Sequence, residues 1–258
     1  MKIGLEDKVI VITGAAGGIG RAIARTAAAE GVGALMLTDR NATVCAALAA
    51  ELADRTDAAC LAADLSDTAA PATIMQATLA HFGRIDVLVN AGGITTRGSF
   101  VTGTPSDWDQ LFAVNARAGF FLMQAAIADM RARGAAGAIV NILSMNAHCG
   151  LPELAMYAAT KGAMQTLTRN AAHAHMADRI RVNGINLGWV ASDAEDHMQA
   201  VVLGKGPDWQ STEAARLPLG RLVAAEECAR LAVFLMGDAS VPMSGAIIDL
   251  EQKVAGAL

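Results

Sequence analysis

The stretch Thr13-Gly14-Ala15-Ala16-Gly17-Gly18-Ile19-Gly20 follows a short β-branched run, Val9–Thr13, and leads into an alanine-rich stretch at 19–29. A strand, a glycine-rich turn and a helix in this order predict a dinucleotide-binding unit. Gly14 permits the tight turn, Gly18 lets the backbone approach a pyrophosphate, and Gly20 allows close helix packing. The helix N-terminus offers free N–H groups and a partial positive charge to the phosphates.

The rest of the chain repeats the alternation of apolar runs and helical stretches. Further strands are predicted at 34–38, 59–63, 85–90, 138–144, 181–187 and 246–250, and long helices at 105–130 and 152–175. This order predicts an α/β fold, a doubly wound parallel sheet of about seven strands with helices on both faces. No linker or repeat divides the chain, so we expect one domain over 1–258. The polar interval at about 189–217 is predicted to form a substrate lid.

Composition limits the function classes. Hydrophobic residues make up 53% of the chain, and 25 acidic against 20 basic residues give a net charge of -5. No basic stripe is present, so nucleic acid is not an expected partner. The N-terminus is acidic and no run of about 18 uninterrupted apolar residues occurs, so we expect a cytoplasmic protein without a membrane span. The four cysteines are scattered and form no metal-binding or redox motif.

Asp39 ends the second predicted strand, 19 residues after Gly20. A carboxylate at this position can accept hydrogen bonds from both ribose hydroxyls of an adenosine, and it repels a 2′-phosphate. The sequence therefore predicts NAD as the cofactor in preference to NADP. The neighbouring Arg40 softens that preference.

Tyr157 is the only tyrosine in the chain, and Lys161 follows it by four positions, on the same face of a predicted helix. A free tyrosine, with a pKa of about 10, is a poor base at neutral pH. An ammonium about 4 Å away, at an effective dielectric near 20, stabilises the phenolate by roughly 4 kcal/mol. That energy equals about three pKa units, so we expect the phenol to have a pKa of about 7 and to exchange a proton with the substrate.

Taken in order, these motifs resemble those of the short-chain dehydrogenase/reductase family over nearly the whole chain. The matching residues are 13–20 for T-G-x-x-x-G-x-G, Asp64 after the third strand, Asn90-Ala91-Gly92-Gly93 for N-N-A-G with one Asn replaced, Asn115, Ser144, and 157–161 for Y-x-x-x-K. Two departures are Leu187 where the family has proline, and 248–252 where many members end near V-D-G-G.

The resemblance implies a catalytic group of Asn115, Ser144, Tyr157 and Lys161. Tyr157 is expected to exchange the proton, Lys161 to lower its pKa and hold the nicotinamide ribose, and Ser144 to bond the substrate oxygen. Asn115 is expected to anchor a water that relays protons. The expected cofactor-binding residues are Gly14, Gly18, Ile19, Gly20, Asp39, Arg40, Asp64, Leu65, Asn90, Gly92, Tyr157, Lys161, Val190 and Ser192. Family members also imply a homo-oligomer, with a tetramer expected.

The substrate is expected to be a small polyhydroxylated molecule, such as a sugar, polyol or sugar acid, because the lid is polar. The expected substrate-binding residues are Ser144, Asn146, His148, Glu153, Tyr157 and Trp189. No metal site is predicted. Two alternatives stay open: a 3-oxoacyl carrier-protein reductase, and a non-catalytic NAD-binding regulatory protein on the same fold.

Overall fold

The computed structural model describes residues 2–255 of the chain. Its centre is one sheet of seven strands in the order β3-β2-β1-β4-β5-β6-β7, with every neighbouring pair parallel. The strands are β1 (Val9–Thr13), β2 (Ala34–Asp39), β3 (Asp57–Ala62), β4 (Val87–Asn90), β5 (Gly137–Ile142), β6 (Ile180–Leu187) and β7 (Ile247–Leu250). The predicted fold class, a doubly wound parallel α/β sheet, is confirmed.

Helices connect the strands and cover both faces of the sheet. They are α1 (Gly18–Ala29), α2 (Ala42–Leu52), α3 (Ala70–Phe82), α4 (Pro105–Phe112), α5 (Ala118–Ala132), α6 (Ala155–His175), α7 (Asp193–Asp196), α8 (Trp209–Ala214) and α9 (Ala225–Met236). Between α4 and α5 lies one π-helical turn, Ala113–Arg117, and a second π-helical segment, His197–Val202, follows α7.

The apolar strand runs arise because both faces of the sheet are buried. In β1 all five residues are buried, and successive side chains point to opposite faces. Ile10 and Ile12 join the core beneath α1, α2 and α9, whereas Val11 joins the core beneath α3, α5 and α6. The sheet thus lies between two separate hydrophobic layers. Only the ends of its strands are free to line a ligand-binding crevice.

Most predicted boundaries differ from the observed ones by one or two residues. The larger difference is the helix predicted without interruption over 105–130, which the π-helical turn at Ala113–Arg117 divides. Three further helices, α2, α3 and α9, complete the crossovers between strands. The lid segment, residues 189–217, contains the short helices and loops that its polar sequence predicted.

The segment Pro105–Ala132 is, among residues 2–255, the one helical stretch long and apolar enough to cross a membrane by composition, with a hydropathy of 1.4. Over half of its most apolar window, 56%, is buried inside the fold. Leu122 and Ala126 of this segment are fully buried in the core between α3, α5 and α6. One side of the segment therefore faces the protein interior, while Phe120 and Phe121 are exposed on its other side.

Candidate active site

The strand order reverses beside β1, whose neighbours β2 and β4 lead away in opposite directions. The carboxyl ends of parallel strands at such a switch point form a crevice in which ligands bind. Here the crevice is lined by the ends of β1, β4 and β5, by the π-helical turn and by α6; its residues include Thr13, Leu65, Asn90, Gly92, Asn115 and Lys161. Residues predicted to bind the cofactor and residues predicted to catalyse therefore share one cavity.

The glycine-rich turn needs its glycines for three different contacts. Gly14 has φ +67°, and a Cβ there would lie 2.6 Å from the Cα of Gly92. A Cβ on Gly20 would overlap the carbonyl oxygen of Gly14, and one on Gly18 would lie 3.2 Å from Cβ of Ser192. The turn is thus closed by contact with the β4 loop on one side and the lid segment on the other.

The adenosine end of the crevice is marked by Asp39. Its carboxylate accepts from the backbone N–H of Ala16, at 3.1 Å, and from that of Asn41, at 2.9 Å. Both bonds fix the carboxylate beside the glycine-rich turn, while Arg40 next to it is exposed. The structure therefore places Asp39 against the glycine-rich turn, and its role in cofactor binding stays a prediction.

The loops after β3 and β4 complete the cradle. Asp64 Oδ1 accepts from the backbone N–H of Ser66 at 2.8 Å, which holds the pKa of this carboxyl below its ordinary value. Leu65 lies over Gly92, where a Cβ would come within 2.6 Å of its Cδ1. Asn90 donates to Asn141 at 2.8 Å, but its own Oδ1 is buried without a hydrogen-bond partner among the described residues.

An unpartnered acceptor and a cradle that side chains would fill are what a bound polar cofactor requires. The residues present therefore fit a nicotinamide dinucleotide. Ile19 lies in the first turn of α1, which carries no acidic residue. The N–H groups of that turn can hold phosphates.

Asn115 stands in the π-helical turn that divides the predicted long helix. Its Oδ1 accepts from the N–H of Ile94 at 2.8 Å, and its Nδ2 donates to the Ile94 carbonyl at 2.9 Å and to Thr160 Oγ1 at 3.1 Å. π-helical turns occur often at functional sites. Here the turn ties the β4 loop to α6, and the predicted role of Asn115 in a water relay stays a prediction.

Tyr157 and Lys161 lie one turn apart on α6, and both are buried. Lys161 Nζ donates to the carbonyl of Ile142 at 2.8 Å and stands 5.7 Å from the centroid of the Tyr157 ring. Ser144, only 6% exposed and two residues beyond β5, lies close enough to the phenol to lower its pKa. The structure therefore brings together three of the four predicted catalytic side chains and places Asn115 against the same helix.

Burial raises the pKa of Tyr157 to about 12, and the Glu195 charge adds to this effect while the Ser144 hydrogen bond opposes it. Burial also lowers the pKa of Lys161 to about 8. The expectation that Lys161 alone brings the phenol near neutrality is therefore wrong. The ammonium is not in contact with the phenol, and desolvation of the phenolate outweighs its attraction. In this chain by itself Tyr157 is protonated at neutral pH.

Of the residues predicted to bind substrate, Asn146 is in direct contact with Ser144 Oγ. His148 is occupied elsewhere: its Nε2 lies 2.9 Å from Asp249 and 3.1 Å from Asn186. Glu153 is exposed in the loop before α6. Asn146 therefore lies beside Ser144, whereas His148 and Glu153 are directed away from it.

The lid segment contributes side chains that the sequence analysis did not assign. The Trp189 indole N–H donates to Glu195 Oε1 at 2.9 Å, and Gln199 donates to the same oxygen. Because Glu195 acts on the pKa of Tyr157, its carboxylate belongs to the same site. No short-range motif singles out Glu195 among the many charges of 189–217.

Val190 and Ser192, both predicted to contact the cofactor, begin the lid segment. Val190 is buried and forms a bridge to Val223, while Ser192 Oγ accepts from the N–H of Glu195 at 3.2 Å. Ser192 also faces Gly18 across the crevice. Within residues 2–255 no group of three or more His, Cys, Asp or Glu side chains could hold a metal ion.

Comparison with known proteins gives a consistent set of relatives. A protein-family model described as enoyl-(acyl carrier protein) reductase matches residues 14–252. The chain is 34% identical to 2-(S)-hydroxypropyl-CoM dehydrogenase 3 of Xanthobacter autotrophicus, over 94% of each chain. It is also 34% identical to gluconate 5-dehydrogenase of Gluconobacter oxydans, over 68% of this chain and 66% of that protein. L-sorbose reductase of Gluconobacter frateurii, solved with NADPH and L-sorbose, superposes with a TM-score of 0.94 at 28% identity, covering 100% of both chains.

Proposed function

The chain belongs to the short-chain dehydrogenase/reductase family, and from that premise we propose that it is an NAD(H)-dependent oxidoreductase that interconverts a secondary alcohol and a ketone. The observation that carries the proposal is one crevice at the strand ends that is lined both by Thr13 and Gly92, which adjoin the glycine-rich turn, and by Lys161, which lies one helical turn from Tyr157. Residues 1–258 act as a single catalytic domain, with 189–217 as its substrate lid.

Tyr157 is the acid or base of this reaction. In reduction, its hydroxyl gives a proton to the substrate oxygen, which suits a phenol that burial keeps protonated. In oxidation, it takes the proton of the substrate hydroxyl. Ser144 donates a hydrogen bond to the same oxygen as charge develops on it. A nicotinamide, when bound, supplies the acceptor or donor of the hydride.

Lys161 supports the phenolate by charge. Its ammonium donates a hydrogen bond to the Ile142 carbonyl. Because the pKa of Lys161 is about 8, the ammonium keeps its proton at lower pH. Above that pH the charge is lost, and with it the electrostatic support of the ionised phenol. The buried Asn90 oxygen and Asn115 lie along the same crevice, so these residues would hold the nicotinamide half of the cofactor.

We assign NAD rather than NADP on the charge of Asp39, which is fixed beside the phosphate-binding turn. The test is a fluorescence titration with NADH and NADPH. NADH is expected to bind at least roughly tenfold more tightly, about 1.4 kcal/mol. Asp39→Asn keeps an acceptor but removes the charge, and it should narrow that gap, whereas the exposed Asp54→Ala should leave it unchanged. Tighter binding of NADPH by the unaltered protein would refute the assignment.

The lid supports a small polyhydroxylated substrate. The Glu195 carboxylate acts on the Tyr157 phenol, and Gln199, which donates to Glu195, is 3% exposed with its Oε1 unpartnered among the described residues. Trp189 packs on Trp209 at 5.5 Å between ring centroids and adds a flat apolar wall. Such a site binds hydroxyl groups and rejects molecules that lack them, because its own buried polar groups would be left unpaired.

The decisive experiment is a spectrophotometric screen for NADH formation or consumption. The panel contains sugars, polyols, sugar acids, hydrophobic alcohols and a 3-oxoacyl thioester. Turnover of the hydroxylated compounds is expected. Turnover of hydrophobic alcohols alone would contradict the substrate class, and turnover of the thioester alone would favour the carrier-protein reductase. Tight NADH binding without turnover of any compound would favour the regulatory alternative.

We propose that the cytoplasmic enzyme is a homo-oligomer, with a tetramer expected, that pairs through the outer face of α5 and α6. A groove of about 330 Å³ lies there, lined by Phe120, Met123, Ile127, Leu167 and other residues. A second copy of the chain would cover this apolar surface. Sedimentation should show Phe120→Arg at lower mass than the unaltered protein, whereas Phe100→Arg, on a loop side chain that is 99% exposed, should not change the mass. A monomeric unaltered protein would contradict the proposal.

A further inference from the structure

The hydroxyl of Ser144 receives two hydrogen bonds from one neighbour. The backbone N–H of Asn146 donates to Ser144 Oγ at 3.1 Å, and the side-chain Nδ2 of Asn146 donates to the same atom at 3.2 Å. Asn146 belongs to the 3₁₀ turn Met145–Ala147, which Ser144 caps. Ser144 and Asn146 are both shielded from solvent, Ser144 almost completely.

The orientation of the Asn146 amide is set independently of Ser144. Its Oδ1 accepts from the backbone N–H of Leu151 at 3.2 Å. An N–H can only donate, so the oxygen of the amide must face Leu151 and the NH₂ group must face Ser144. The direction of the bond between Asn146 and Ser144 therefore follows from a third residue.

A serine hydroxyl has two acceptor sites and one proton to donate. Both acceptor sites are filled by Asn146, so the single O–H is left to donate, and Ser144 acts on the Tyr157 phenol by lowering its pKa, as a donor does. We propose that Asn146 is a positioning residue that fixes Ser144 as a hydrogen-bond donor, which turns to the phenol in the free protein and to the substrate oxygen when substrate is bound. The role in turnover rests on the proposed function; the donor geometry does not.

This arrangement matters because the substrate oxygen carries negative charge in the transition state in both directions. In oxidation the hydroxyl loses its proton, and in reduction the carbonyl oxygen gains charge as the hydride adds to carbon. A hydroxyl free to rotate could offer a lone pair instead of its proton, which would destabilise that charge. A donor already aimed at the oxygen needs no reorganisation during the reaction. Asn146 thus acts through Ser144, and contact with substrate is not required of it.

The discriminating variant is Asn146→Asp. The carboxylate keeps the shape and the acceptor for Leu151 N–H, but it presents an acceptor to Ser144, so the serine proton turns toward it. Asn146→Ala is a second variant that removes the side-chain donor and keeps the backbone one. Gln76→Glu, an exposed amide-to-carboxylate change on α3, is the matched control.

The first readout needs no substrate. Because Tyr157 is the only tyrosine, protein carrying ¹³Cζ-labelled tyrosine gives a single resonance that reports the hydrogen bonding of this phenol. Asn146→Asp and Ser144→Ala should shift this resonance, and the double variant should match Ser144→Ala. Gln76→Glu should not shift it. An unshifted resonance in Asn146→Asp, or a further shift in the double variant, would overturn the proposal.

The second readout is the reduction of L-sorbose by NADH. Asn146→Asp should lower kcat by about 10²-fold, the loss found when one donor to a developing oxyanion is removed. Asn146→Ala should lower it roughly tenfold. The loss should vanish when Ser144 is already alanine, because residues that act as one unit are not additive. A loss that persists in that background, or a change confined to KM, would overturn the positioning role. If unaltered protein does not reduce L-sorbose, that result bears on the proposed function, and the resonance still decides the inference.

Discussion

Replacing Lys161 with methionine should stabilise the fold while it lowers activity. Lys161 is only 7% exposed, and burial lowers its pKa from 10.5 to about 8. The folded protein therefore holds this proton less tightly than the unfolded chain does, at a cost of about 3 kcal/mol near neutral pH. Methionine fills similar space without charge. The Ile142 carbonyl loses its donor, which costs about 1 kcal/mol, so a net gain of about 2 kcal/mol is expected.

The stabilisation expected for Lys161→Met depends on pH. Below the folded pKa of about 8 the lysine is charged in both states, and the full cost is present. Between that pH and the unfolded value of 10.5 the unfolded chain binds more protons, so the unaltered protein gains stability as pH rises. The advantage of Lys161→Met should therefore shrink over this interval and, above it, become a deficit of about 1 kcal/mol from the lost hydrogen bond to Ile142.

Urea unfolding at several pH values measures this effect. Lys161→Met is compared with the unaltered protein and with Lys253→Met, which makes the same change at an exposed position and should alter stability very little. A Lys161→Met protein that is less stable at neutral pH, or whose gain does not depend on pH, would refute the reasoning.

Three further predictions follow from single contacts. The tyrosinate absorbance of Tyr157, the only tyrosine, should be absent in the folded protein up to about pH 10, where a free tyrosine is already half ionised; an ionisation near neutrality would contradict the buried phenol. Gly20→Ala places a Cβ on the Gly14 carbonyl, so it should lower the urea midpoint by an amount equal to about 2–4 kcal/mol and weaken NADH binding; unchanged values would contradict the close packing of this turn. Arg181 is buried and donates to the carbonyls of Leu235 and Gly237 at the end of α9. Arg181→Met should therefore lower the free energy of unfolding, measured by thermal unfolding, by about 3 kcal/mol. An unchanged free energy of unfolding would show that these hydrogen bonds do not stabilise the fold.

The fold could be predicted from sequence because its signals are local. The run of β1 is continuously apolar since both of its faces are buried, and the glycines that follow it are required by contacts within the same strand–turn–helix unit. The π-helical turn at Ala113–Arg117 could not be predicted in this way. An inserted helical residue changes the register of the backbone but leaves no distinct pattern of apolar positions.

The sequence predicted that Tyr157 and Lys161 share one face of a helix, but it predicted only part of their electrostatics. The spacing of Tyr157 and Lys161 set their shared helix face, but the pKa of the phenol depends on desolvation by every neighbouring element, which the spacing does not contain. Contacts between residues far apart in the chain could likewise not be predicted from the sequence. His148 is paired with Asp249, which is 101 residues away, and so faces β7.

Glu195 belongs to the site for a similar reason. Its carboxylate acts on Tyr157 only because the lid segment folds over the crevice and the Trp189 indole holds it there. No local pattern distinguishes it from its acidic neighbours. Trp189, Val190 and Ser192, at the start of the lid segment, could be proposed from sequence, whereas Glu195, further into that segment, could not.

The most direct test of the account is the turnover of Tyr157→Phe with the alcohol or ketone that gives the strongest NADH signal in the screen. Phenylalanine keeps the buried ring and removes only the hydroxyl that exchanges the proton, so the fold and NADH binding should be unchanged. The account predicts that kcat falls by about 10²–10⁴-fold. Turnover close to that of the unaltered protein, with NADH still bound, would contradict the assignment of Tyr157 as the acid or base.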